Sequence, residues 1–277
     1  MSDSTPGNGG IDTSRAHPAR RYNYLLGGKD NFAADRESAD KLLAVNPHIA
    51  TAARQNRAFL QRVVRVLATE YAITQILDIG PGLPTANNTH EVAQSVAPAS
   101  SIVYVDNDPH VMVHARALLT SSPQGKTAYI EADLLDPDRI LTDPALRATL
   151  DLDRPVALTC IAVLHFLPDD TAVRAALRTL VQALAPGSIL ALSHGTLDPL
   201  PPKKRAALEK ELGNVAAHGT TRARSQADIA ALITELDLDL LEPGIVSVVD
   251  WRPDVPPEPG GATAEQALCW AAVARRR

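Results

Sequence analysis

The sequence predicts an α/β fold: a mainly parallel sheet with helices on both faces, preceded by an N-terminal helical cap. Three observations carry this. Short apolar runs at Ile76-Leu77, Ile102–Val105 and Ala128–Ile130 each end on an acidic residue or just before one, at Asp78, Asp106 and Asp133. Helical patterns separate these runs, as the crossover of a parallel pair requires. A glycine turn, Gly80-Pro81-Gly82, follows the first run directly. Strand, glycine turn, helix, strand and acid together make the plan of a βαβ nucleotide-binding unit.

In chain order, residues 1–16 are small and polar and read as a disordered tail. Residues 17–70 read as a helical cap. Pro18 starts a first helix, and Gly27-Gly28 stops it. Asp30 or Asn31 caps a second helix, which runs to about Val45. A third begins near Pro47, with Ile49, Ala53, Leu60, Val63, Val64 and Leu67 at helical spacing on one buried face. The stretch 20–36, dense in Arg, Tyr, Asn and Lys around its glycines, reads as a lid rather than as a plain helical hairpin.

From residue 71 the chain reads as the nucleotide-binding domain. Gly80 and Gly82 let the backbone approach a ligand, and an acid at the tip of the next strand, Asp106, suits a ribose diol. Asp106 follows Gly82 at close to the roughly 20 residues expected of that acid. Asp108-Pro109 starts a helix on which His110 and His114 are expected to face solvent rather than a metal. Residues 127–131 form the third strand, and residues 136–153 are short helix and loop. Residues 155–161 read as a strand buried on both faces, with His165 beyond its carboxyl end. Asp169 or Asp170 caps the following helix, and residues 188–194 are strand five, ending at His194. A solvated helix over 199–224, a helix capped by Ser225, a strand over 245–249 and a final strand over about 267–274 complete the pattern. Trp251 either lines an acceptor pocket or closes the core, and the core is the expected place. The last strand follows a hairpin-like loop, so an antiparallel course is expected.

A dinucleotide turn would place glycine where Thr85 stands, which weakens an NAD-dependent oxidoreductase. Asp78-Ile79-Gly80-Pro81-Gly82 instead resembles the first motif of class I S-adenosylmethionine (SAM) methyltransferases. Leu83-Pro84 departs from the further glycine common there. Residues from about 18 to 275 resemble a bacterial family of such enzymes with an unassigned acceptor. The resemblance implies a Rossmann-like, seven-stranded domain over 71–277 that binds SAM. Gly80 and Gly82 would meet the methionine part, Asp106 the ribose, with Asn107 behind it, Asp133 the adenine amino group, Leu134 the ring face, and Ala162 the site floor; Asp78, at the head of the motif, belongs to the same cofactor set. From the cap, Tyr22 would pack against the cofactor and Lys29 meet its carboxylate. His165 and His194 would face the acceptor, His165 either as a general base or as a hydrogen-bonded wall residue. A SAM-binding regulatory module without transfer activity is the alternative.

The 277 residues carry a net charge of −5, so no global basic field steers the chain to nucleic acid. No apolar stretch is long enough to span a membrane. A cytoplasmic enzyme acting on a small molecule is expected, without a metal; its oligomeric state is not legible. Cys160 and Cys269 lie in apolar runs, as buried free thiols do.

Overall fold

A computed structural model describes residues 12–85, 87–118, 121–253 and 261–277, with the side chains of 116–118 excepted. Most of the 1–16 tail lies outside the described residues. Residues 12–16 do not hang free: Arg20 Nη2 donates to the carbonyls of Asp12 (3.1 Å) and Arg15 (2.7 Å).

Three helices come first, α1 (Pro18–Leu25), α2 (Ala33–Val45) and α3 (Ile49–Thr69). Pro18 opens α1 and Gly27, at φ +82°, ends its turn. The cap of α2 is not Asp30 or Asn31 but Phe32, whose N–H donates to Asp35 Oδ2 at 2.8 Å. Asn31 is occupied elsewhere, with its amide on Asn23 Oδ1. A buried ion pair between Arg20 and Asp35 (3.1 Å) ties α1 to α2.

The sheet then builds through β1 (Gln75–Ile79), α4 (Thr89–Val96), β2 (Ser101–Asp106), α5 (Pro109–Leu118) and β3 (Lys126–Glu131). Two short helices follow, α6 (Pro137–Thr142) and α7 (Pro144–Thr149), started by Asp136 and Asp143. Next come β4 (Ala157–Ile161), a 3-10 turn over Leu164–Phe166, α8 (Asp170–Ala183) and β5 (Ile189–Gly195). Asp169 caps α8 by accepting from Thr171 and Ala172. The chain finishes with α9 (Pro202–Leu212), α10 (Val215–His218), α11 (Gln226–Glu235), β6 (Leu238–Leu240), β7 (Val246–Ser247), α12 (Ala264–Ala267) and β8 (Cys269–Arg276).

Strand order is β3-β2-β1-β4-β5-β8-β6, with β7 also on β8. β1 to β5 are parallel, and β8 enters antiparallel to β5 as expected. Eight strands rather than seven arise because the expected strand 245–249 is only the two-residue β7, while β6 takes the outer edge. Alternate residues of each strand feed two cores. Leu77, Ile79, Val103 and Val105 pack with α6, α7, α8 and α11, through Ile140, Leu146, Leu177 and Ile229. Ile76, Ile102 and Tyr104 pack with Phe59, Val63 and Leu67 of α3, Val92 of α4, and Trp251. Thus α3 belongs to the sheet's own helical layer, and a cap boundary at residue 70 would cut through a shared core, to which α1 and α2 contribute no residue. Trp251 is 1% exposed and meets Phe59 edge-on at 5.3 Å.

His110 overturns the expected solvated face of α5. It is 7% exposed because Phe32 from the cap covers it, with ring centroids 5.8 Å apart. Cys160 is buried and Cys269 partly so; both are free thiols. Among the described residues no helix is long and apolar enough to cross a membrane, and no His, Cys, Asp and Glu cluster suits a metal.

Candidate active site: two joined cavities at the strand ends

Strand order reverses between β1 and β4, and there the carboxyl ends of parallel strands diverge to leave a crevice. A cavity of about 250 Å³ opens at that point. Gly80 and Gly82 form its turn at φ +65° and +68°, a region that L side chains avoid. A Cβ on Gly80 would strike Val163 Cγ2 at 2.5 Å, so the turn lies flat against the end of β4. Gly80 N–H donates to Val105 O (2.8 Å) and Gly82 N–H to Asp106 Oδ2 (3.2 Å).

Asp106 is 7% exposed at the tip of β2, and Oδ1 accepts the Asp108 N–H at 2.9 Å. Burial pushes its carboxyl up to about 6, against these two donors, which favour the charge. Asp133, beyond β3, holds its own turn by accepting from Leu135 N–H (2.8 Å), and Asn107 Nδ2 donates to its other oxygen (2.9 Å). Asp78 is buried beneath the turn, its oxygens taken by Thr89 Oγ1 (2.6 Å) and Thr159 Oγ1 (2.7 Å); burial raises its carboxyl too.

The structure brings Asp78, Gly80, Gly82, Asp106, Asn107, Asp133, Leu134, Ala162 and Tyr22 around this one cavity. It leaves out Lys29, which is exposed beyond the Gly27-Gly28 turn, where Asn23 Oδ1 accepts the Asp30 N–H (3.1 Å). The guanidinium that does line the cavity is that of Arg57, whose Nη2 donates to Asn87 O (3.0 Å) and Asn88 Oδ1 (3.2 Å).

A second cavity of about 160 Å³ adjoins the first. Tyr22, Asn56, Ala162 and Phe166 line both. A hydrogen-bond chain builds this wall. Tyr22 hydroxyl donates to Ala53 O (2.9 Å) and accepts from Asn56 Nδ2 (3.0 Å); Asn56 Oδ1 accepts from Ser193; and Ser193 Oγ accepts the Ala162 N–H (3.0 Å). Ala162 is held at φ +56°, a strained conformation for a residue with a side chain. Burial pushes the Tyr22 phenol up to about 12, so it stays protonated.

The two histidines part company. Their rings lie 5.6 Å apart, yet only His165 lines a cavity, the second one. His194 is fully buried behind it and spent on both nitrogens: Nδ1 meets Gly195 O (2.8 Å) and Nε2 meets Arg224 Nη1 (2.8 Å). Since Arg224 can only donate, Nε2 accepts and Nδ1 holds the proton. Burial, with Arg224 nearby, brings His194 down to about 4. It is therefore a strut, and does not face an acceptor. Burial, followed by His194, Arg21 and Arg224, holds His165 well below the usual range. Gly195 N–H donates to His165 Nδ1 at 3.4 Å, which leaves its proton on Nε2. A neutral Nε2–H is a donor, so the geometry favours the hydrogen-bonded wall residue over a general base.

Sequence reasoning missed Asn56, Arg57, Arg21 and Arg224. Asn56 had a signal: it sits between Ala53 and Leu60 on the buried register of α3, where a polar residue needs a reason. Arg224 had none in the sequence, although it carries the turn after β4, donating to Leu164 O, Leu167 O and Asp170 Oδ1, each at 2.9 Å.

Comparison with known proteins bears on the family and the fold. The chain is similar to a DUF574 family protein from Streptomyces avermitilis (45% identity, TM-score 0.89), over 96% of this chain and 99% of that one. It is also similar to a putative methyltransferase from Thermobifida fusca (41% identity, TM-score 0.87), over 97% and 98%. An O-methyltransferase family protein from Burkholderia thailandensis (16% identity, TM-score 0.50, 87% and 62% covered) shares the fold alone. No curated protein matches. The S-adenosyl methyltransferase family model matches residues 4–277, and with that extent the chain belongs to this family of SAM-dependent methyltransferases.

Proposed function

We propose that this methyltransferase binds SAM in the first cavity and passes its methyl group to a small molecule held in the second. The observation that carries this is the convergence of the Gly80–Gly82 turn, Asp106 and Asp133 on one hollow, joined through Tyr22, Asn56, Ala162 and Phe166 to another. The residues fit the cofactor. The positive-φ glycines offer main chain without side chains, and Asp106 is a buried carboxylate with two N–H donors among the described residues, suited to a ribose diol. Asp133 takes the adenine amino group, Leu134 the ring face, and Arg57 the methionine carboxylate. Asp78 acts through the turn it supports, and Asn107 through Asp133.

Bound SAM supplies a methyl group on a sulfonium, already activated for displacement. The chain's task is alignment and exclusion of water. The shared wall sets the line between the two cavities, and the tethered Ala162 backbone fixes its floor. His165 Nε2–H orients the acceptor by donating to it; a proton released on transfer passes to water. The size of the second cavity supports a small acceptor.

Calorimetry with SAM and with NAD tests the cofactor assignment: SAM binds one to one, and NAD gives no heat. Binding of NAD, or no binding of SAM, would overturn it. Incubation of a host extract with methyl-labelled SAM tests the acceptor class. Label is expected among small molecules, and label confined to protein or nucleic acid would refute it.

A further inference from the structure

The second cavity has a one-sided charge. Its walls are largely apolar, with Leu25, Leu42, Ile49, Leu208, Leu212 and Leu268 among them, and no Asp or Glu lines it. Two arginines do. Arg222 is neutralised at the rim by Asp170 (2.6 Å). Arg21 is different: it is 5% exposed, and no carboxylate lies within ion-pair distance among the described residues. The acid whose charge it feels, Asp35, is already paired with Arg20.

The guanidinium is nevertheless firmly placed. Nη1 donates to Ser38 Oγ (3.1 Å) and to His218 O (3.0 Å). Ser38 Oγ meets His218 Nδ1 (2.9 Å), and His218 Nε2 meets Glu211 Oε1 (2.8 Å). The Phe166 ring lies 5.9 Å from the guanidinium carbon. All of these contacts engage Nη1 or a face. The Nε–Nη2 edge, the fork that matches a carboxylate with two parallel bonds, has no protein partner among the described residues. Burial brings Arg21 down to about 10, so it is still a cation at neutral pH. A buried cation without a counter-charge is costly, and a fixed one marks a place kept for an anion. Thr221 Oγ1, also on this cavity, is buried without a partner.

We propose that the acceptor is a small, largely apolar carboxylic acid, its carboxylate on the Nε–Nη2 edge of Arg21 and its body in the second cavity, with one O–H or N–H group at the shared wall whose lone pair takes the methyl as the C–S bond breaks, leaving S-adenosylhomocysteine and giving its proton to solvent. The volume, about 160 Å³, suits a body of one ring, since a cavity of about 150 Å³ holds benzene. The proposal rests on the first cavity being the SAM site, because the shared wall then sets the acceptor beside the methyl group.

Three probes of one size separate charge from shape: benzoate, benzyl alcohol and benzylamine, each titrated into the protein saturated with S-adenosylhomocysteine. Benzoate is expected to bind about tenfold or more tightly than benzyl alcohol, the effect of one hydrogen bond to a charged group, and benzylamine not at all. Arg21→Gln should bring benzoate down to the level of the alcohol, and Arg21→Lys should restore part of the difference. Equal binding of benzoate and the alcohol, tighter binding of the amine, or binding of none of the three would overturn the proposal. The wild-type series needs no variant to fold. Binding of S-adenosylhomocysteine by the same wild-type samples shows separately whether the cofactor reading stands.

Discussion

Replacing Asp106 by Asn tests the cofactor site through its pH dependence. In the free protein the carboxyl lies at about 6, raised by burial and held from rising further by the Asp108 and Gly82 N–H groups. In the proposed site the ribose hydroxyls would donate to the ionised form, so that SAM binding would compete with protonation. At about pH 5 roughly one-tenth of the groups are ionised, and SAM should bind about tenfold more weakly than at about pH 8. Asn at position 106 keeps the shape but loses the charge. At about 1.5–3 kcal/mol for each charge-assisted bond, affinity should fall at least about tenfold, and the pH slope should flatten. Folding stability runs in the opposite sense. The folded-state value lies above the ordinary carboxylate value of 3.8, so ionisation costs the free chain stability as pH rises from about 4 through about 6. The full cost is about 3 kcal/mol, and the variant lacks it. Calorimetry across this pH range, paired with urea denaturation, reads both. A variant with the wild-type slope, or with affinity within about threefold of it, would refute the role given to Asp106.

Gly80→Ala puts a methyl 2.5 Å from Val163 Cγ2 at φ +65°, and should cost about 1–3 kcal/mol in urea denaturation and abolish SAM binding by calorimetry. Arg224→Lys loses the fork on Leu164 O, Leu167 O and His194, and should lower stability by about 2–4 kcal/mol. Nitrogen NMR of His165 should show the Nε2–H tautomer with no titration between about pH 5 and 8; a midpoint near 6.5 would restore the general-base reading. Tyr22→Phe leaves the buried Asn56 amide short of its partner, and should cost about 1–3 kcal/mol by thermal denaturation.

The local part of the site was legible. Gly80, Gly82 and Asp106 belong to one βαβ unit, where turn chemistry and strand ends follow from neighbours in sequence. The faces of α3 were legible for the same reason. What escaped depends on distant contacts. β6 is a short strand that exists because β8 pairs with it, so it holds no alternating pattern long enough to read, and of the strand expected over 245–249 only the two residues that pair with β8 form β7. His110 reads as solvent-facing on α5 until Phe32, far off in the sequence, covers it. His194 ends a strand at the expected rim, yet Arg224, thirty residues on, claims its outward nitrogen. Arg21 looked like one charge among several in a polar stretch, and only packing showed that it alone of that stretch lines the second cavity as a cation.

The two cavities are linked by one short helix. Along α1, Ala19 lies at the first cavity over Gly82, Arg20 is pinned to Asp35, Arg21 reaches the second cavity, and Tyr22 stands in the wall between them. Successive helical residues point about 100° apart, so four neighbours cover the whole circumference. Because one rigid turn carries all four, the distance from the glycine turn to the Arg21 fork is set by helix geometry and not by loop conformation. The Tyr22–Asn56–Ser193–Ala162 chain fixes the same turn to α3, β5 and β4. In-line displacement rewards such fixity, since a misplacement of about 1 Å costs on the order of a hundredfold in rate. A change that unseats α1, such as loss of the Arg20–Asp35 pair, would therefore disturb both cavities together.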